Sequence, residues 1–148
     1  MLIALAIVST LALAAAGIAS DREVASSTAT TVGELQIRPT VANGPRGVAL
    51  FRQTGASVRG WVVVWGLAPR TRHAVHFHGP NSSCGQKADP VAAHADLVAD
   101  ARGVAYATVK IRSPVQVLRK GIYYNVHARP LAADENPEIA CANVVPIP

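Results

Sequence analysis

From residue 34 onward, short runs of alternating apolar and polar residues follow one another and end at Gly or Pro turns. These runs cover residues 34–38, 46–52, 57–65, 71–78, 102–111, 121–128 and 139–145. Alternation over a few residues predicts half-buried strands, and many such strands separated by turns are typical of antiparallel proteins. We therefore predict an all-β, antiparallel Greek-key sandwich or barrel of about 7–8 strands. The pattern of residues 91–99 fits either a strand or one helical turn.

The N-terminal part of the chain has a different character. Residues 2–18 are almost wholly apolar, and small residues at Gly17 and Ala19 precede the first polar stretch. This predicts a signal peptide over residues 1–20, with an uncleaved membrane anchor as the alternative. Both interpretations place the rest of the chain outside the cytoplasm. Residues 21–33 are rich in Ser, Thr and Ala and are interpreted as a flexible linker. Residues 34–148 then form one β domain.

Composition narrows the classes of function. The chain has 148 residues, 50% of them hydrophobic, which excludes a disordered polar protein. A net charge of +5 combined with only 5% aromatic residues does not favour a nucleic-acid platform, and an exported chain makes nucleic acid an unsuitable partner. The positive charge is compatible with association with an anionic cell surface. The oligomeric state cannot be read from these features.

Two cysteines in an exported chain predict one disulfide, between Cys84 and Cys141. The alternative is a pair of free buried thiols. The bridge closes a long loop of the chain, for which the chain-entropy description gives roughly 4 kcal/mol of stabilisation. It also ties the irregular stretch after His78 to the last strand of the domain.

The histidines carry the candidate chemistry. His76 and His78 are two residues apart on a predicted strand, so both side chains lie on one face, while Phe77 points to the core. His127 lies on another predicted strand, and His94 lies between the two in sequence. Neutral imidazole is the commonest ligand for zinc and copper in proteins. The set predicts a metal site that suits copper(II) or zinc.

Three other residues receive structural interpretations. His73 falls on the Phe77 side of its strand and is interpreted as structural or solvent-exposed, not as a ligand. Trp61 and Trp65 share a face of the strand 57–65, and we predict that both pack in the core.

The stretch from His76 to Cys141 resembles the Cu/Zn superoxide dismutase family. The shared features, in order, are an H-x-H strand, a disulfide cysteine in a loop, a histidine in the next loop, an Asp-Leu pair, an A-D-x-x-G-V-A run, a Val-His strand and a final Ala-Cys. They correspond here to His76-Phe77-His78, Cys84, His94, Asp96-Leu97, residues 99–105, Val126-His127 and Ala140-Cys141. The chain also resembles the chordin-type (CHRD) domain, through Gly66-Leu67, the segment 76–79 and the strand 123–127.

The first resemblance implies specific roles for these residues. It implies that His76, His78 and His127 are copper ligands and form the catalytic centre, with copper as cofactor. It implies that His94 either bridges copper and zinc or binds zinc, and that Asp96 matches the zinc carboxylate. Because a zinc site needs four ligands and at most two are present, zinc is doubtful. Where the dismutase family has an arginine, three residues before the last cysteine, this chain has Glu138.

The two resemblances imply two functions. The first is a secreted, copper-binding protein that dismutes superoxide, with superoxide as its small-molecule substrate. The alternative is a CHRD-like extracellular binding or structural domain without catalytic activity. The predicted disulfide between the loop and the last strand and the A-D-x-x-G-V-A run of residues 99–105 favour the first function. Glu138 and the incomplete set of zinc ligands favour the alternative.

Overall fold

The computed structural model describes residues 29–131 and 136–147, and within them every regular element is a β-strand. The predicted all-β, antiparallel fold is therefore confirmed. The predicted signal peptide and the linker as far as residue 28 lie outside the described residues. The first strand begins at Thr30, so the last residues of the predicted linker belong to the domain.

The strands are short and separated by turns, as the sequence pattern predicts. In chain order they are β1 (Thr30–Pro39), β2 (Arg46–Thr54), β3 (Ser57–Trp65), β4 (Arg72–His73), β5 (Val75–His78), β6 (Pro90–Ala93), β7 (Leu97–Val98), β8 (Val104–Arg112), β9 (Tyr123–His127), β10 (Glu138–Asn143) and β11 (Val145–Ile147). The ambiguous stretch 91–99 contains parts of two strands, β6 and β7, and no helix.

The main sheet bends into a nearly closed antiparallel barrel with strand order β6-β5-β9-β10-β1-β2-β3-β8. Strands β1, β2 and β3 follow one another as hairpins, and the chain then crosses to β5 on the far side of β1. β11 pairs with the start of β1, and β4 pairs with β7 in a separate small sheet. This order places β5 beside β9, although 44 residues separate the end of β5 from the start of β9.

The core lies between the β1–β2–β3–β8 half and the β10–β9–β5–β6 half of the barrel. Phe51 of β2 packs edge-on against Phe77 of β5, with ring centroids 5.2 Å apart, and both contact Tyr124 of β9. All three side chains are fully buried. Aromatic packing of this kind fixes which face of β5 and β9 points inward. Residues 76 and 78 of β5, and 125 and 127 of β9, must then lie on the opposite face.

The prediction that Trp61 and Trp65 pack in the core is wrong. They share a face of β3, but it is the outer one, and their side chains are 37% and 43% exposed. Val62 and Val64 occupy the core instead. Strand β3 is apolar on both faces only from Trp61 to Trp65; Ser57 and Arg59 share the face of the two tryptophans and mark it as the outer one.

His73 has the structural role that the sequence suggested. It is buried, and its Nδ1 donates a hydrogen bond to the main-chain carbonyl of His127 at 2.8 Å. Its Nε2 lies 2.6 Å from the hydroxyl of Thr71. These contacts tie the end of β4 to the end of β9 and so help to hold His127 in place.

Candidate metal centre

The candidate site is built by two neighbouring strands, β5 and β9. In their antiparallel register His76 lies opposite Asn125, and His78 lies opposite Tyr123. His127 follows Asn125 by two residues and therefore lies on the same face. The core packing of Phe77 and Tyr124 turns this face away from the barrel interior.

The three histidines converge. His76, His78 and His127 each offer one ring nitrogen, and these nitrogens all lie within 4.8 Å of one another. The ring centroid of His76 is 5.0 Å from that of His127 and 5.5 Å from that of His78. In tetrahedral geometry, metal–nitrogen bonds of about 2.0–2.1 Å separate two ligand nitrogens by roughly 3.3–3.4 Å. Only small side-chain adjustments therefore separate this cluster from a coordination sphere, and the sequence prediction that these residues meet is confirmed.

Hydrogen bonds orient two of the rings. His78 Nδ1 donates to the carbonyl of Ala88 at 2.7 Å, and His127 Nδ1 donates to the carbonyl of Asn136 at 2.6 Å. Because a carbonyl only accepts, each ring carries its proton on Nδ1 and its lone pair on Nε2. Outer contacts of this kind set the tautomer and orientation of metal-binding histidines.

One nitrogen of the cluster has no partner in the described part of the protein. His78 Nε2 is buried and makes no hydrogen bond there, while His127 Nε2 lies 3.0 Å from Asn125 Nδ2. A buried polar atom without a partner is costly and uncommon in native proteins. A metal ion would satisfy His78 Nε2, so the donor set fits a metal.

The electrostatics keep the imidazoles of His76 and His78 neutral. Burial, the largest cause, together with the neighbouring His127 and His78 lowers the pKa of His76 from 6.5 to about 4. Burial also lowers the pKa of His78. Neutral imidazole is the form that binds metal, so at neutral pH protons compete little for the lone pair of either ring.

His94 and Asp96 do not join this three-histidine cluster. His94 Nε2 accepts a hydrogen bond from the buried hydroxyl of Tyr124 at 2.7 Å, and its Nδ1 donates to the carbonyl of Ala95 at 2.8 Å. The carboxylate of Asp96 lies 3.5 Å from the guanidinium of Arg72. A ligand role for His94 or Asp96 stays a prediction.

The predicted disulfide between Cys84 and Cys141 is confirmed. It holds the loop 79–89 against β10, and the Cys84 amide donates to Asn143 Oδ1 at 2.9 Å. The hydroxyl of Tyr123 donates to the carbonyl of Gln86 in the same loop at 2.6 Å. This loop supplies the Ala88 carbonyl that orients His78, so the disulfide stabilises one wall of the site. A disulfide is typical of proteins in oxidising compartments.

A pocket of about 260 Å³ leads to the cluster from one side. Its lining includes His78, His127, Lys87, Tyr123 and Glu138. Burial raises the pKa of the Glu138 carboxyl, partly offset by the Asn125 side chain and the Gly85 amide. The site is therefore accessible to a small molecule, past one cationic and one acidic side chain.

Sequence reasoning missed three groups that shape the site. Asn125 lies among the histidines, and its position two residues before His127 was a usable signal. The carbonyls of Ala88 and Asn136 are backbone groups in irregular segments, and no residue pattern marks them.

Comparisons with known proteins identify no relative. No protein-family model and no curated protein sequence matches the chain. Over the described residues, no helix is long and apolar enough to cross a membrane. The functional interpretation therefore depends on the geometry of the site and on the order of motifs in the sequence.

Proposed function

We propose that the chain binds one copper ion through His76, His78 and His127 and uses it to dismute superoxide. The observation that carries this proposal is the buried Nε2 of His78, which has no hydrogen-bond partner within the described structure and lies in a cluster with two other imidazoles. An unpaired buried nitrogen costs free energy, and a metal ion bound by the three imidazoles would remove that cost.

The donor set favours copper among the common metals. The three donors are imidazole nitrogens, without a thiolate or carboxylate in the cluster. Imidazole suits copper and zinc, and copper(II) binds a given nitrogen site more tightly than the other divalent first-row ions. Three protein ligands also leave a position for substrate, as in catalytic and not structural metal sites. The resemblance of the ordered motifs to Cu/Zn superoxide dismutases supports the same metal.

Held by these three imidazoles, copper would supply one-electron redox chemistry, in which two superoxide ions and two protons give one oxygen and one hydrogen peroxide. The chain itself supplies the three imidazoles and fixes the tautomers of two of them, His78 and His127. It also supplies the pocket that admits a small anion, with Lys87 among its lining residues. The disulfide supports a location in an oxidising compartment, and we propose that the protein acts outside the cytoplasm.

A specific observation favours the alternative of a CHRD-like extracellular binding domain without turnover. Glu138 lines the same pocket as His78 and His127. A carboxylate at this entrance repels superoxide and lowers the rate at which an anion arrives. In this alternative the site binds metal and the protein does not consume superoxide.

The test is superoxide consumption by the copper-loaded protein, followed by stopped-flow absorbance. We expect decay faster than that of the protein treated with a chelator, and loss of the activity in His76→Ala/His127→Ala. The control is Glu34→Ala/Gln36→Ala, a double alanine variant on the outer face of β1, which should retain activity. Copper bound without superoxide consumption would support the binding domain and contradict the enzyme.

A further inference from the structure

The outer face of strands β1, β2, β3 and β8 lies on the other half of the barrel from the histidine cluster and combines exposed aromatic side chains with cations. We call it the basic aromatic face. Its aromatic residues are Trp61, Trp65 and Tyr106, which are 37%, 43% and 67% exposed. Large exposed apolar side chains that cluster on one surface mark interaction sites more often than isolated ones do.

The strand register arranges the apolar side chains in contiguous rows across β2, β3 and β8. Listed from one end, the rows are Arg46–Trp65–Val104, Val48–Val63–Tyr106 and Leu50–Trp61–Thr108. Successive rows are two residues apart, about 6.6–6.8 Å along the strands. Together the rows form one apolar surface on a sheet.

The next row along the same strands consists only of cations. Arg59 lies directly between Arg52 on β2 and Lys110 on β8, and all three are exposed. Like charges directly opposite each other destabilise a sheet. Over the described residues the one ion pair joins Arg72 to Asp96, so no carboxylate there pairs with this row. An anionic partner would remove this repulsion.

The charge of the whole face has one dominant sign. Its single carboxylate is that of Glu34, against six exposed cations on the same four strands: Arg38, Arg46, Arg52, Arg59, Lys110 and Arg112. Grooves at the two ends of the face are each lined by a pair of arginines. One, of about 600 Å³, contains Arg38 and Arg46 beside Trp65, and the other, of about 330 Å³, contains Arg52 and Arg59.

We infer that the basic aromatic face binds the surface of an anionic lipid bilayer. Tryptophan and tyrosine are the side chains that prefer the headgroup region of a membrane. Each cation close to an anionic bilayer contributes about fivefold in affinity. The apolar rows are contiguous and have cations at their margins, which suits shallow insertion between headgroups. A polyanionic chain lying across the face needs cations along its whole length, and the central rows, Val48–Val63–Tyr106 and Leu50–Trp61–Thr108, contain none.

The chain offers a direct optical test, because its two tryptophans both lie on this face. The full chain is mixed with vesicles of phosphatidylcholine alone or with phosphatidylglycerol added. We expect a blue shift of tryptophan emission, and quenching by brominated lipid, only with phosphatidylglycerol present. The apolar segment 2–18 contains no tryptophan and is the same in every variant, so the signal reports the face itself.

Charge variants test the row of cations. Arg52→Glu/Arg59→Glu should weaken vesicle binding by about 30-fold or more, since each neutralised cation removes about fivefold and reversal adds repulsion. The control, Arg119→Glu/Lys120→Glu, changes net charge equally in the loop between β8 and β9 and should bind as the unaltered chain does. If circular dichroism shows that the reversal variant is unfolded, Arg52→Gln/Arg59→Gln replaces it, with an expected loss of about 30-fold.

Several results would overturn the inference. They are an unchanged spectrum with phosphatidylglycerol vesicles, an equal change with phosphatidylcholine alone, and full binding by a folded charge variant. A tryptophan shift that appears with heparin and not with vesicles would assign the face to a polyanion instead. A shift that follows protein concentration without lipid, together with a dimer in ultracentrifugation, would assign it to a second copy of the chain.

Discussion

His127 and Glu138 lie directly opposite each other on the neighbouring antiparallel strands β9 and β10. Both residues also line the pocket that leads to the histidine cluster. A negative charge therefore borders a site that we propose to receive an anion. Removing the charge of Glu138 therefore tests whether the protein is an enzyme that acts on superoxide or a binding domain.

Replacing Glu138 with glutamine should raise the rate constant for superoxide consumption by the copper-loaded protein. Removal of one charge near the path of an anion changes its arrival rate by about 2- to 5-fold at low ionic strength, and salt reduces the effect. Stopped-flow decay at low and high salt measures both quantities. Glu34→Gln, which makes the same charge change on the outer face of β1, is the control. An unchanged rate at low salt would show that Glu138 does not control access.

The sequence predicts the ligand face and not its surroundings. The two-residue spacing of His76 and His78 places both side chains on one face of the strand. Phe77 lies between them and points into the core, so the histidines lie on the face outside the core. His127 reaches this face because β9 pairs with β5. Since 44 residues separate the two strands, only the resemblance to the Cu/Zn superoxide dismutase family predicts that they are neighbours.

The rest of the site depends on irregular segments. The carbonyl of Ala88 reaches His78 through a loop held by the disulfide, and no periodic pattern specifies such a path. The path of its loop brings the imidazole of His94 to the hydroxyl of Tyr124. The two-residue spacing between His94 and Asp96 does not indicate that path. The prediction for Trp61 and Trp65 is wrong because it considers the apolar stretch 61–65 alone, whereas Arg59 on the same face marks that face as the outer one.

Removal of the disulfide should weaken both the fold and the site. Cys84→Ser/Cys141→Ser opens a link between residues 57 positions apart, and the chain-entropy description gives a loss of about 4 kcal/mol in the free energy of unfolding. The freed loop carries the Ala88 carbonyl, so copper affinity should fall as well. Denaturant unfolding and copper titration measure the two effects. A destabilised variant with unaltered copper affinity would show that the loop does not orient His78.

The metal-free protein should lose stability as the pH falls from 6.5 toward 4. His76 has a pKa of 6.5 in the unfolded chain and about 4 in the folded one, so the unfolded chain binds more protons between these values. The contribution is present above pH 6.5 and is lost as the pH falls toward 4. His78 shifts in the same direction because it too is buried. Thermal unfolding in the presence of a chelator measures the slope, and His76→Gln should flatten it. A slope of equal size in that variant would contradict this origin.

Loss of the Tyr124 hydroxyl should destabilise the fold and leave copper binding unchanged. Tyr124 is fully buried and donates to Nε2 of His94 at 2.7 Å. In Tyr124→Phe this nitrogen loses its partner, at a cost of about 1–3 kcal/mol. Denaturant unfolding should show the loss, and copper titration should give the same stoichiometry and affinity. A change in copper affinity would show that His94 takes part in the metal site.

The shared site of His76, His78 and His127 is tested most directly by electron paramagnetic resonance of the protein titrated with copper(II). We predict one bound copper per chain, with hyperfine coupling to three imidazole nitrogens. In His127→Ala we predict loss of one coupled nitrogen and a weaker site. A chain that binds no copper, or a copper signal that is identical in the variant, would contradict a common site for these three histidines.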